Sequence, residues 1–348
     1  MFTLNTILRE NIKKTKPYSS ARDEYKGNEG VFLDANENPI GSVTNENYNR
    51  YPDPLQHEVK DQLAKIKGVK PSQIFLGNGS DEAIDLLFRA VCVPGSDNVI
   101  TTPPTYGMYE VSANINDVKV KEVPLTADFE IQTDKVLAAI DSHTKMIFLC
   151  SPNNPTGNSM KMEDIEKITN VFQGIVVIDE AYIDFSYTKS FVSKLDKHPN
   201  LVILQTFSKA WGLAGLRLGT AYASEEIIAV LNKIKPPYNI NQLTQKLALE
   251  ALANQSKKEK MVSEIILQRD LLLKELSIIP FISKVYPSDA NFILIKTEDG
   301  EKIYNFLIQK KIITRNRSKI TLCEGCIRIT VGAREENELL LKELKNYK

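Results

Sequence analysis

Lys209 is the residue around which a chemistry can be built. It stands in LVILQTFSKAWGLAGLRLG, Leu201 to Gly219, just past an apolar run, Leu201 to Leu204, that reads as a buried strand. In open α/β sheets the carboxyl edge of the strands is where ligands bind. Arg217 lies beyond a turn rich in Gly and Ala that lets backbone pack closely, so two cations can converge on one anionic ligand. A lysine amine so placed can hold a cofactor covalently.

Asp179 supplies the opposite charge. It follows the apolar run Ile175 to Ile178 directly, so a carboxylate stands at the end of a buried strand. Such a charge needs a cationic partner. A protonated pyridine nitrogen meets that need, and this is the ring pyridoxal phosphate uses as an electron sink. Taken alone, Asp179 could equally be an N-cap or half of a structural ion pair. Tyr182 lies three residues further, where a phenol could act on the cofactor's O3′. Asn154, in SPNNPTG after the apolar run Met146 to Cys150, could donate to the same oxygen.

A phosphate needs its own cradle. GNGSDE, Gly77 to Glu82, leads into a helix start, where free N–H groups and the helix dipole favour an anion. Ser80 or Asp81 is the expected N-cap, with Glu82 next in the same turn. Ser208 and Arg217 can add side-chain donors. The segment is neither a dinucleotide fingerprint, since Glu82 replaces the third glycine, nor a Walker A loop, since no Gly-Lys-Ser/Thr follows. Tyr106, in TPPTYGMY, could stack on a planar ring. Four strand ends thus carry an anion cradle, an amide, an Asp with a Tyr, and a Lys with an Arg.

The elements that must position these groups are legible as an alternation. From about residue 70 to 223 apolar runs alternate with helical patterns, which predicts an α/β fold with a mainly parallel sheet and helices on both faces. After Ser224 helical periodicity dominates to Ile279, and a smaller α/β mixture closes the chain. The expected division is an N-terminal arm over 1–40, packing with the small domain and a partner subunit, a large domain over 41–235 and a small domain over 236–348.

Composition narrows the partners. Lys+Arg and Asp+Glu balance at 44 each, so there is no basic excess for nucleic acid or an acidic membrane, and small molecules are expected. The N-terminus lacks the continuous apolar core of a signal peptide, and no apolar run approaches a membrane span, so a cytoplasmic protein is expected. Cys323 and Cys326 form a CxxC, but Cys92, Cys150 and the three histidines offer no ligands at paired spacing. These cysteines read as small core residues, and no metal is expected.

Together, GNGSDE, SPNNPTG, VVIDEAY and TFSKAWGLAGLRLG resemble the fold-type I pyridoxal-phosphate aminotransferases. YSSAR with Tyr18, DANENP with Asn36, RYPDP with Tyr51 and the closing IRITVG with Arg328 narrow the resemblance to the histidinol-phosphate aminotransferase family, over nearly the whole chain. The resemblance implies that Lys209 forms the Schiff base, Asp179 pairs with the ring nitrogen, and Tyr182 and Asn154 hold O3′. It places Tyr106 on the ring and Ser80, Asp81, Thr206, Ser208 and Arg217 around the phosphate. Tyr51 would reach the cofactor phosphate of a neighbouring subunit, which implies a homodimer with shared active sites. Arg315 and Arg328 match the arginines that take the substrate's anionic end, with Tyr18 and Asn36 nearby. RNR at 315–317 leaves Arg317 as a competitor for Arg315, and Thr220 stands where a bulkier residue is frequent.

The implied reaction is transamination between L-histidinol phosphate and 2-oxoglutarate, giving imidazole acetol phosphate and L-glutamate in histidine biosynthesis. A guanidinium fork accepts either a phosphate or a carboxylate, which suits two substrates at one site. The rivals are a threonine-phosphate decarboxylase or an aromatic aminotransferase on the same fold, and a non-catalytic regulator or binding module of that fold; a regulator would need a DNA-binding extension, and a binding module would have no use for Lys209.

Overall fold

The structure is a computed structural model that describes residues 2–18 and 29–347. Seven strands form the large sheet: β1 (Ile74–Asn78), β2 (Asn98–Thr101), β3 (Lys119–Glu122), β4 (Thr144–Cys150), β5 (Ile175–Asp179), β6 (Leu201–Thr206) and β7 (Leu218–Ala223). Their spatial order is β1-β7-β6-β5-β4-β2-β3. The β2, β3, β4, β5 and β6 pairings are parallel, whereas β7 runs antiparallel to both β6 and β1.

The central strands read as continuous apolar runs because both faces are covered. Successive side chains point to opposite faces. Ile147, Leu149, Val176, Ile178, Leu201 and Ile203 therefore join one core cluster, while Met146, Phe148, Ile175, Val177, Val202 and Leu204 join the other. Full burial of each such side chain contributes about 1.5–3 kcal/mol. The strand ends are thereby fixed firmly enough to hold charged groups in place.

A second sheet, order β10-β11-β9-β8, is antiparallel throughout. It comprises β8 (Ile282–Val285), β9 (Phe292–Thr297), β10 (Arg315–Asn316) and β11 (Cys326–Thr330). It packs with the long helix Gln255–Leu276 and the closing helix Arg334–Lys345 around Leu272, Leu276, Ile293, Ile295, Ile327 and Leu340. Neither β8 nor β10 was expected from the sequence. β8 is short with a polar centre, and β10 has only two residues.

Contacts of the described residues bear on how the chain divides. Residues 4–13 of the N-terminal segment pack on the large domain. Leu4 is buried with Phe88, Ile227 and Leu231 of the large one, Arg9 N–H donates to the Ala90 carbonyl (3.0 Å), and Lys233 Nζ holds the carbonyls of Ile12 and Lys13. Beyond the expected boundary near 236, the helix Gln242–Ala253 still places Ala248 and Leu252 in the core cluster that holds Ile147, Leu149 and Ile203 of the large sheet. Its apolar positions carry the helical period, but period alone does not say which core they enter. Among the described residues, no helix is long and apolar enough to cross a membrane.

Candidate active site

The antiparallel turn from β6 into β7 brings Lys209 and Arg217 to the same place. Thr206 Oγ1 accepts from Ser208 N–H (3.0 Å), Gly212 N–H returns to the Lys209 carbonyl (3.0 Å), and Leu213 N–H to that of Phe207 (3.0 Å). Arg217 closes the turn in the left-handed region, φ 54°. β7 then lies beside β1, with Gly219 opposite Gly77, so Arg217 reaches the start of the helix Gly79–Val91. Its Nη2 is 3.9 Å from Asp81 Oδ2, and its carbonyl accepts from Gly79 N–H (2.8 Å).

This approach depends on Gly219. A Cβ there would lie 2.1 Å from the Ser80 nitrogen, so any other residue would push the helix start away from the strand. Gly79, at φ 71°, turns the chain from strand to helix.

A cavity of about 200 Å³ opens at this edge, lined by Ser80, Asp81, Tyr106, Asn154, Asp179, Tyr182, Thr206, Ser208, Lys209 and Arg217, with Gly79, Cys150, Ala181 and Ala214 completing the wall. Ten of the residues singled out from the sequence thus converge. Asp179 lies at its floor, fully buried. Burial lifts its pKa to about 6, against the hydrogen bonds from Tyr109 Oη to Oδ2 (2.8 Å) and from Ala181 N–H to Oδ1 (3.0 Å). Asp81 raises it further and Lys209 lowers it. Lys209 has no ion pair among the described residues. Desolvation, with Arg328 and Arg217 nearby, lowers its pKa, and its Nζ stands 5.7 Å from the centre of the Tyr182 ring. Burial pushes the Tyr182 phenol up, so it is a neutral donor. Tyr106 Oη donates to Asp81 Oδ1 (3.2 Å).

Asn154 joins the two sheets: its Oδ1 accepts from Nη1 of Arg328, whose guanidinium rests over Phe292 at 5.1 Å. Arg315 is paired across the ladder with Arg328, so the two share a face of the small sheet. Arg315 is exposed. Arg317 is half-buried, and burial together with Arg328 and Arg315 lowers its pKa to about 10. The Nε atoms of Arg317 and Arg328 are buried without a hydrogen-bond partner among the described residues.

Four expected site residues lie elsewhere. Glu82 does not line the cavity: its carboxylate accepts from Asn78 N–H (2.5 Å) and from Asn239 Nδ2 (3.2 Å), which secures the start of the helix. Tyr51 and Asn36 line a second, open cavity of about 500 Å³, where Tyr51 stacks on Tyr238 at 4.4 Å. Tyr18 is exposed and lines neither. Of the YSSAR motif, Ser19 to Arg22 fall outside the described residues.

Tyr109 went unread in the sequence. TPPTYGMY has the look of a loop, but Met108 begins a helix, and one step of that helix turns Tyr109 onto Phe148 and Asp179. The signal available was a second tyrosine three residues after Tyr106, at helical spacing. Cys323 and Cys326 are both buried in the core, and the Cys326 N–H donates to the Cys323 carbonyl (2.9 Å).

The donor set suits a planar, phosphate-bearing pyridine. A buried carboxylate with no ion pair among the described residues shares the cavity with a desolvated amine, and a helix start with an arginine stands to one side. An anion at that start meets unpaired N–H groups and the positive end of the helix dipole.

Comparison with known proteins agrees. Residues 24–344 match the family model described as aminotransferase class I and II. The histidinol-phosphate aminotransferase of Cytophaga hutchinsonii is 63% identical over 346 residues, 99% of each chain. The solved histidinol-phosphate aminotransferase of Clostridium acetobutylicum superposes with a TM-score of 0.80 at 26% identity, covering 86% of this chain and 90% of that one. That of Sinorhizobium meliloti, solved in complex with pyridoxal-5′-phosphate, gives a TM-score of 0.79 over 90% and 89% of the two chains; at 23% identity this likeness carries the fold alone.

Proposed function

The chain belongs to the class I and II aminotransferase family, and within it to the histidinol-phosphate aminotransferases, and we infer from this that it transaminates L-histidinol phosphate with 2-oxoglutarate. The products are imidazole acetol phosphate and L-glutamate, and the reaction belongs to histidine biosynthesis. Pyridoxal 5′-phosphate is the cofactor. When bound, it supplies a protonated ring that accepts the electron pair released at the substrate's Cα.

The residues divide that work. Lys209 would hold the cofactor covalently, and its amine would act as the base for the substrate's Cα proton. Its lowered pKa favours the neutral amine that such a base requires. Asp179 would face the ring nitrogen and keep it protonated. Tyr182 and Asn154 would donate to O3′, and Tyr106 would cover the ring. The first turn at Ser80 and Asp81, with Thr206, Ser208 and Arg217, would bind the phosphate. Arg328, with Arg315 or Arg317, would receive the anionic end of either substrate.

The observation that carries this reading is Asp179 and Lys209 lining one cavity beside a helix start and Arg217. The exposed ring of Tyr51 in an open cavity, with Val31, Leu33, Ile40 and Val43 also exposed, supports a homodimer in which Tyr51 completes the partner's site. A cytoplasmic location fits a biosynthetic enzyme whose described helices cannot cross a membrane.

A half-reaction followed by cofactor absorbance tests the function. Histidinol phosphate should discharge the lysine-bound cofactor faster than phenylalanine or threonine phosphate. A preference for threonine phosphate with release of CO2 would replace the transaminase with the decarboxylase.

A further inference from the structure

We propose that Tyr109 is a positioning residue that holds the Asp179 carboxylate ionised and aimed, and through it keeps the proton on the cofactor's ring nitrogen. The inference rests on the reading of Asp179 given above and adds a residue that the reaction as described does not use.

The geometry is specific. Tyr109 is only 1% exposed, and its hydroxyl donates to Asp179 Oδ2 at 2.8 Å. The ring is locked on two sides, stacked on Phe148 at 4.7 Å and 18° and meeting Tyr106 edge-on at 5.5 Å. Ala181 N–H takes the other carboxylate oxygen at 3.0 Å. Tyr109 arrives from the helix Met108–Ile115 and Ala181 from the turn after β5, so the carboxylate is gripped from two elements. Of the other charged groups felt by Asp179, Asp81 from the helix start disfavours its ionisation and Lys209 from the β6–β7 turn favours it.

A hydroxyl donating to a carboxylate stabilises the ionised form. The shared proton in the pair then sits on nitrogen rather than on Asp179. Without the hydroxyl the carboxylate is the stronger base, and the proton moves toward it. Desolvation and Asp81 disfavour the charge on Asp179, and the donors from Tyr109 and Ala181, with Lys209, oppose them in a buried site. Tyr109 also packs against Tyr106, so one side chain links the ring-covering residue to the ring's counter-ion.

The test is a Tyr109→Phe holoenzyme loaded with cofactor labelled with 15N at the ring nitrogen. In the wild type the 15N resonance should sit at the pyridinium position, and in Tyr109→Phe it should move toward neutral pyridine at the same pH, with kcat lower by about ten- to a hundredfold. In an Asp179→Asn background the same change should have little further effect on either readout, because the hydroxyl acts through the carboxylate. A second measurement covers poor cofactor loading: in the cofactor-free protein, the 13C titration midpoint of Asp179 should rise in Tyr109→Phe and fall when 3-fluorotyrosine, a stronger donor of the same shape, replaces Tyr109. A wild-type ring nitrogen that is already unprotonated would sink the Asp179 reading itself. A protonated wild-type ring with unchanged 15N and 13C signals in the variants would overturn only the role of Tyr109.

Discussion

The two ends of the cavity are built on opposite principles. At the sheet edge, Tyr109 donates to Asp179 and Tyr106 donates to Asp81, and the two tyrosine rings meet edge-on above strands whose cores are fully buried. At the small sheet, Arg315, Arg317 and Arg328 crowd one another, have no ion pair among the described residues, and two of them bury an unbonded Nε. The first end is organised before any ligand arrives, which suits electrostatic work on a developing charge. The second is short of negative charge and gains most when an anion enters. On the roles proposed above, chemistry is fixed in the large domain and choice of substrate is left to the small one.

The sharpest way to break that division is Lys209→Ala. Removing the base should lower kcat by about a thousandfold or more without disturbing the fold, measured by steady-state turnover and by circular dichroism. Retained turnover would end the mechanism.

Asp179→Asn separates function from stability. Burial raises the Asp179 pKa from 3.8 to about 6 in the folded protein. A raised carboxylate contributes stability below its unfolded pKa and loses it as pH rises through the folded value. The charge therefore costs the cofactor-free protein about 3 kcal/mol at pH 8. The asparagine variant should be nearly inactive, yet its cofactor-free form should melt higher than wild type at pH 8 and show less advantage near pH 4.

The arginine end predicts a different signature. Arg328→Gln and Arg317→Gln should raise KM for histidinol phosphate by roughly ten- to a hundredfold, with a smaller effect on kcat. Arg315→Gln, at an exposed position, should change KM less. Equal KM effects at 315 and 317 would remove the distinction drawn between them.

Gly219→Ala should be the mildest of the four. Its Cβ would collide with the Ser80 nitrogen, so the helix start must shift, destabilising the protein by about 1–3 kcal/mol and loosening cofactor binding about tenfold. Thermal melting and cofactor titration read the two effects separately.

Much of this was legible in the chain. β4, β5 and β6 are apolar runs, and their ends fall within two residues of where hydrophobicity alone puts them. The misreadings share one cause. β8 and β10 are too short and polar to show a period, and Gln242–Ala253 has a period but no address. Glu82 was read as part of an anion cradle by proximity, while its carboxylate turns back to Asn78 and Asn239.

For Lys209 and Asp179 the sequence by itself placed a cation and an anion near the ends of buried strands, where a charge needs a partner. Tertiary structure decided their company. Strand polarity at β7 set Arg217 beside the helix start, and the rotation of one short helix set Tyr109 rather than Tyr106 on Asp179. A hydrogen bond requires heavy atoms within about 3 Å along a narrow set of directions, and no linear spacing carries that information.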